Sequence, residues 1–110
     1  MSILDHTVLE RFGALLQHRL PIVGVAAFGS RVRSGDAAPD NDSDLDVLVI
    51  SETLTPEVRR IVSDCAFEAG FDDGILISPV VYSRYEWEHS PEGSSPLARS
   101  IRHEGVFLTV

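Results

Sequence analysis

The sequence contains no lysine: its nine basic side chains are all arginines, and 17 acidic side chains outnumber them. The resulting net charge of −8 argues against non-specific binding to nucleic acid, because contacts with phosphate groups dominate that affinity. The single cysteine, Cys65, cannot form an internal disulfide. It falls in a predicted helix, and we expect it to pack there as a small apolar side chain.

Long apolar runs are also missing, since none approaches the roughly 20 residues that a membrane-spanning helix needs. The start of the chain lacks the basic-then-apolar pattern of a secretory signal. The sequence therefore predicts a cytoplasmic protein with no membrane partner. The chain has 110 residues and neither repeats nor low-complexity segments, which predicts one domain over residues 1–110.

Apolar spacing and turn signals predict the order α-β-α-β-α-β-α-α, which is compatible with a small α/β sheet with helices packed on it. A short helical turn should follow Gly29-Ser30, and polar, mobile segments should cover 34–43 and 90–95. The other predicted elements are helices over 4–20 and 55–69, strands over 22–28, 45–51 and 75–82, a short helix after Ser83, a helix from Ser95-Pro96 to about Gly105, and a packed tail or strand over 107–110.

Several residues predict where these elements begin and end. Thr55 and Pro56 are typical of the N-cap and first residue of a helix, and Gly70 is typical of its C-terminal cap. Ser83 is expected to open a capping box with Glu86. Pro79 cannot donate a backbone hydrogen bond, so it predicts a bulge or an edge position for the third strand.

The second apolar run opens with two aspartates, Asp44 and Asp46, spaced two residues apart. In a strand this spacing places both carboxylates on one face, where they repel each other unless a positive charge lies between them. A divalent cation bound by oxygen ligands, Mg²⁺ or Mn²⁺, would supply that charge. The alternative is ordinary turn chemistry, although Asp46 lies inside the apolar run, where an unpaired carboxylate is costly.

The first predicted strand ends abruptly at Gly29-Ser30. Small residues at this point allow a close approach of the backbone, and the N–H groups and hydroxyl of such a turn can hold phosphate oxygens at the start of a helix. The Gly-Ser turn is expected to lie beside the aspartate pair.

The run Gly29-Ser30-Arg31-Val32-Arg33, followed by a polar loop and Ser43-Asp44-Leu45-Asp46, resembles the signature of the nucleotidyltransferase superfamily of DNA polymerase β type. The resemblance is closest to the minimal nucleotidyltransferases of prokaryotes and covers about residues 23–106. It implies a mixed sheet and a metal-dependent transfer of a nucleoside monophosphate, AMP by expectation, from a triphosphate to a hydroxyl acceptor.

The same resemblance implies roles for individual residues. Asp44 and Asp46 would be catalytic ligands of Mg²⁺ or Mn²⁺. The nucleotide-binding residues would be Gly29, Ser30, Arg31 and Arg33, although the two arginines could equally be solvated loop residues. Small members of the family often serve as antitoxins of HEPN-type ribonuclease toxins and can attach AMP to them, so the resemblance implies such a partner. The resemblance is also compatible with a homo-oligomer.

The chain departs from the family pattern at two points. Thirteen residues separate Ser30 from Asp44, a longer loop than in compact members, although lengthening a surface loop costs little. Active members also carry a third carboxylate on the next strand, where this chain has no acid and offers Val80 or, less readily, Ser78. Asp72, Asp73 and Glu52 are imperfect substitutes. The alternative function is therefore a catalytically degenerate module that binds a nucleotide or a partner protein without turnover.

Overall fold

The computed structural model describes residues 1–34, 44–89 and 94–109. Of the polar segments predicted over 34–43 and 90–95, residues 35–43 and 90–93 therefore lie outside the described residues. Nine elements are present in the described part, in the following order: α1 Ile3–Arg19, β1 Ile22–Phe28, α2 Ser30–Arg33, β2 Leu45–Ser51, α3 Pro56–Phe71, β3 Ile77–Ser83, α4 Arg84–His89, α5 Pro96–Glu104 and β4 Val106–Phe107.

The four strands form a mixed sheet in the order β3-β2-β1-β4. β1 is antiparallel to both β2 and β4, and β2 is parallel to β3. The mixed sheet and the helices around it confirm the predicted fold class. Pro79 lies in β3, an edge strand of this sheet, so the edge prediction is confirmed. The tail or strand predicted over 107–110 overlaps β4 at Phe107.

The capping predictions are confirmed at the start of three helices. The Thr55 hydroxyl accepts a hydrogen bond from the Val58 N–H, with Pro56 as the first residue of α3. The Ser95 hydroxyl caps α5 in the same way. Ser83 and Glu86 form the reciprocal pair of a capping box at the start of α4.

The prediction that Gly70 caps α3 is wrong, because the helix continues through Phe71 and ends at Asp72. Gly70 is instead a buried helical position where the Ile75 carbonyl oxygen crosses so closely that a Cβ would overlap it. The left-handed conformation occurs at Gly74, with φ of 65°. Ile75 still belongs to this turn, since its N–H donates to the Gly70 carbonyl, and β3 therefore begins at Ile77 rather than at residue 75.

The core lies on both faces of the sheet, and β2 contributes to both. Leu45, Val47 and Val49 join α1 and α3 in the larger cluster, whereas Leu48 and Ile50 join Ile101 of α5 on the opposite face. Burial on both faces explains the nearly continuous apolar character of this strand. Cys65 is buried in the larger cluster, as predicted.

In the described ranges, no helix combines the length and apolar character that crossing a bilayer requires.

Candidate functional site

The aspartate pair lies at the N-terminal end of the central strand β2. Asp46 is the second residue of β2 and lies between Phe28 of β1 and Ser78 of β3 in the register of the sheet. Asp44 comes directly before the strand and is partly exposed. Because side chains alternate along a strand, Asp46 projects on the face that carries Leu48, away from α1 and α3.

The Gly-Ser turn lies directly on this pair. β1 is antiparallel to β2, so its last residue, Phe28, ends beside Asp46 and the chain turns at Gly29. Gly29 has a φ of 84°, a region that side chains with a Cβ rarely adopt. A Cβ built at this position would overlap Asp46 Oδ2. Glycine is therefore required at position 29 for two reasons: the backbone conformation and the space that the Asp46 carboxylate occupies.

The pKa of Asp46 depends on its burial and on the charges of two neighbouring side chains. Burial raises the pKa of Asp46 above its ordinary value, the nearby Asp44 carboxylate raises it further, and the Arg33 guanidinium partly lowers it. Asp44 and Arg33 are therefore both close enough to Asp46 to act on it. With two carboxylates and one arginine acting together, the site favours an additional positive charge.

The two arginines of the motif occupy different environments. The Arg31 side chain is only 7% exposed, and its Nη1 donates to Asp5 Oδ1 of α1 at 2.7 Å. Asp5 is itself 1% exposed, and its other oxygen accepts from the Ser2 N–H in the capping box of α1. Arg33 is exposed. Arg31 thus anchors the Gly-Ser turn to the first helix, and Arg33 is the arginine that acts on the aspartate pair.

Asp5 could not have been assigned to the site from the sequence. Its position near the start of a helix is fully accounted for by the helix dipole and by capping, and 26 residues separate it from Arg31. No local pattern connects the two residues, and only the packing of α1 against the turn after β1 brings them together.

The structure provides no third acid facing the pair from β3. The register puts Ser78 opposite Asp46 and Val80 opposite Leu48. Glu52 follows the far end of β2, roughly 20 Å along the strand from Asp46, and forms an ion pair with Arg84 at 2.6 Å. It therefore cannot substitute for the missing carboxylate.

Asp73 also lies elsewhere, because Arg11 of α1 binds it at 2.8 Å. Its neighbour Asp72 ends α3, so both belong to the turn before β3, as predicted. Across residues 1–34, 44–89 and 94–109, no group of three or more histidine, cysteine, aspartate or glutamate side chains is arranged to hold a metal ion. The pair therefore offers part of a coordination shell.

The residues present fit a hard divalent cation on the chemistry of their donors. Carboxylate oxygens are the ligands that Mg²⁺ prefers, and Mg²⁺ in proteins commonly keeps several water or phosphate oxygens beside one or two carboxylates. Burial and then the neighbouring Asp44 carboxylate raise the pKa of Asp46, so a bound cation would stabilise the charged pair. Asp44 and Asp46 are the residues that would hold the ion.

Comparison with known proteins shows what this sequence and fold are similar to. The family model of a nucleotidyltransferase domain matches residues 9–105. No curated protein matches the sequence significantly. One chain of a crystal structure of the toxin–antitoxin pair MntA–HpeT, in a form with two aspartate-to-glutamate substitutions, aligns with a TM-score of 0.60 and 16% identity over 91% of this chain and 70% of that one. This likeness shows a shared fold.

Proposed function

Since the chain belongs to the nucleotidyltransferase domain family, we propose that it is a metal-dependent nucleotidyltransferase. It transfers a nucleoside monophosphate, AMP by expectation, from a nucleoside triphosphate to a hydroxyl acceptor. The observation that carries the proposal is the contact between the Gly29 turn and the Asp46 carboxylate, with Asp44 close enough to raise the pKa of Asp46. This contact joins the predicted phosphate-binding turn to the predicted metal ligands in one site.

Each residue of the site has a distinct role in this proposal. Asp44 and Asp46 hold Mg²⁺ or Mn²⁺, which when bound stabilises the negative charge on the reacting phosphate oxygens. Gly29 and Ser30 hold the triphosphate against the pair. Arg33 is exposed beside Asp46 and neutralises the leaving pyrophosphate, whereas Arg31 acts through the turn that it anchors to Asp5.

The reaction exchanges one phosphorus–oxygen bond for another. The acceptor hydroxyl oxygen attacks the α-phosphorus, the bond to the bridging α,β-oxygen breaks, and pyrophosphate departs with the electron pair. The hydroxyl proton passes to solvent or to a group of the acceptor, because β3 presents Ser78 rather than a carboxylate beside Asp46. A slow reaction is expected, since a positioned general base contributes about 10²–10⁴-fold to the rates of such steps.

We place the acceptor hydroxyl on a partner protein, a HEPN-type toxin of which this chain would be the antitoxin. The resemblance to minimal nucleotidyltransferases and the fold shared with a chain of a toxin–antitoxin pair support this partner. A cytoplasmic location agrees with the supply of nucleoside triphosphates in that compartment. Free nucleic acid is not an expected ligand, because the net charge of −8 repels the phosphate backbone.

The transfer is tested with ATP labelled in either the α- or the γ-phosphate, incubated with the protein, Mg²⁺ and a HEPN-type ribonuclease. Nucleotidyl transfer predicts label on the ribonuclease from α-labelled ATP alone. Label from γ-labelled ATP would identify phosphoryl transfer instead. The Asp44→Asn/Asp46→Asn variant is the matched control, because it keeps the shape of both side chains and removes their charge.

A second candidate is a degenerate module that binds a nucleotide or a partner without turnover. The observation in its favour is Ser78, an uncharged residue opposite Asp46 on the strand where active family members carry a third carboxylate. This candidate predicts Mg²⁺-dependent ATP binding with no label on the ribonuclease. A Ser78→Asp variant that gained transfer would support it further.

A further inference from the structure

Three large apolar side chains at the C-terminal end of α3 are exposed to solvent. Phe67, Phe71 and Leu76 are 63%, 66% and 62% exposed, and we call them the α3 patch. The rings of Phe67 and Phe71 contact each other with centroids 5.2 Å apart. A groove of about 200 Å³ runs beside them between α3 and residues 74–76. Contiguous exposed apolar surface of this kind marks interaction sites in soluble proteins.

Packing within the chain does not account for the patch. The face of α3 that packs on the core consists of other residues, all buried in the larger core cluster: Val58, Val62, Cys65, Ala66 and Ala69. A surface helix with one buried face ordinarily carries polar residues on the opposite face. Phe67 and Phe71 therefore form an apolar surface that the described residues leave exposed.

The charges around the α3 patch are acidic. Asp64 and Glu68 lie on the same helix, and Asp72 ends it. The last turn of α3 has no basic residue, so the negative end of the helix dipole adds to these carboxylates. Arg11 of α1 is a basic residue at this end of α3, and its guanidinium is already bound to Asp73 and to the Ala69 carbonyl. Within the described ranges, Glu68 and Asp72 form no ion pair, and Asp64 has only Arg60 at 3.9 Å. Arg19 of α1 is the basic residue that acts, together with Glu68 and Asp64, on the Cys65 thiol.

We propose that the α3 patch docks an amphipathic helix of a partner protein whose apolar face is bordered by arginine or lysine. Apolar side chains of that helix would enter the groove between Phe71 and Leu76, and its basic residues would meet Glu68 and Asp72. A second copy of this chain is a poor occupant, because a two-fold interface would place the same acidic residues opposite each other.

The α3 patch adjoins the end of the sheet that carries the aspartate pair. The Leu45 N–H donates to the Leu76 carbonyl at 2.9 Å, and Leu45 separates Asp44 from Asp46 in the sequence. A partner docked on the patch would therefore sit at the same end of the sheet as the aspartate pair, which projects from the opposite face. That the docked partner is also the acceptor rests on the proposed function, whereas the docking itself does not.

The docking is tested with a synthetic helical peptide that has leucines on one face and arginines beside them, and with a matched peptide in which glutamates replace the arginines. Binding is measured by fluorescence anisotropy, and the contacted residues are mapped by amide chemical shifts without nucleotide. The basic peptide should bind and shift residues 64–76, and added salt should weaken it. Phe71→Ser should lower its affinity by about tenfold or more.

Tyr85→Ser is the matched control, because Tyr85 is 70% exposed on α4 and lies outside the α3 patch. Failure of the basic peptide to bind would overturn the proposal. So would equal binding of the acidic peptide, an unchanged affinity in Phe71→Ser, or a dimer in sedimentation that Phe71→Ser abolishes. Peptide binding retained in the Asp44→Asn/Asp46→Asn variant, or in a protein that fails to bind ATP, would leave the docking intact while the proposed transfer is judged separately.

Discussion

At the scale of single residues, the site depends on the space that one glycine leaves for one carboxylate. Gly29 has a positive φ, and its missing side chain is the space that Asp46 Oδ2 occupies. The adjacency of the Gly-Ser turn and the aspartates was predicted, because the turn ends one apolar run and the aspartates open the next. The sequence favoured Val80 over Ser78 as the position of the third carboxylate, whereas the register puts Ser78 beside Asp46; register depends on how the strands pair and not on local pattern.

Gly29→Ala should destabilise the fold and disrupt the site. The left-handed backbone costs about 1–3 kcal/mol for a residue with a Cβ, and the overlap with Asp46 displaces the proposed metal ligand. The free energy of unfolding from urea titration and the affinity for Mg²⁺-ATP measure the two effects. Gly74→Ala is the control, because Gly74 also has a positive φ but no atom lies near its Cβ position. A loss of nucleotide affinity equal in both variants would contradict this role of Gly29.

Asp46→Asn should stabilise the protein in the absence of metal at neutral pH. Burial and then Asp44 raise the pKa of Asp46 from its ordinary value of 3.8, so the folded state holds this proton at pH values where the unfolded chain has released it. The contribution of Asp46 to stability therefore falls as pH rises through that window and is unfavourable above it. Thermal denaturation at pH 7 should give a higher Tm for the variant.

The control for this effect is Asp64→Asn, an exposed residue with only a 3.9 Å ion pair, which should leave the Tm nearly unchanged. Adding Mg²⁺ should raise the Tm of the unmodified protein more than that of Asp46→Asn, because binding to the folded state stabilises it. A lower Tm for Asp46→Asn without metal would contradict this prediction, because it would show that the charge of Asp46 is compensated in the folded protein.

At the scale of secondary structure elements, the buried pair between Asp5 and Arg31 joins α1 to the turn that carries the site. Most helix starts were predictable from caps, since capping is a local interaction. The end of α3 was not, because Gly70 is required for the approach of the Ile75 carbonyl rather than for a cap. The pair between Asp5 and Arg31 was likewise not predictable from any local sequence pattern.

Asp5→Ala should cost about 3–5 kcal/mol of unfolding free energy, because it leaves the Arg31 charge buried without this carboxylate. Asp73→Ala, which breaks a more exposed ion pair, should cost about 1 kcal/mol or less by the same urea titration. Replacing Arg31 by Met in the Asp5→Ala background should recover part of the loss. A cost for Asp5→Ala no larger than that of the Asp73 control would contradict the anchoring role.

Cys65 should react with thiol reagents only when α1 and α3 separate. The side chain is fully buried, and burial raises the pKa of the thiol more than Arg19 lowers it, so little thiolate is present. At pH 8 without denaturant, labelling should be at least about a hundredfold slower than in urea-unfolded protein. Prompt labelling of the folded protein would place Cys65 outside the core.

At the scale of the whole molecule, carboxylates lie at both places where a cation and a basic partner are proposed to bind. The chain carries −8 overall, with the aspartate pair on one face of the sheet and the α3 patch, bordered by Glu68 and Asp72, on the other. Composition predicted the acidity and the low affinity for nucleic acid. It did not predict the α3 patch, because exposure of Phe67 and Phe71 depends on which side of α3 packs on the sheet.

Calorimetric titration of ATP in the presence and absence of Mg²⁺, on the unmodified protein and on Asp44→Asn/Asp46→Asn, tests the central claim most directly. The site described here predicts binding that requires Mg²⁺ and that weakens by about tenfold or more in the variant. No binding by the unmodified protein with Mg²⁺, or equal binding by the variant, would contradict a metal–nucleotide site at Asp44 and Asp46.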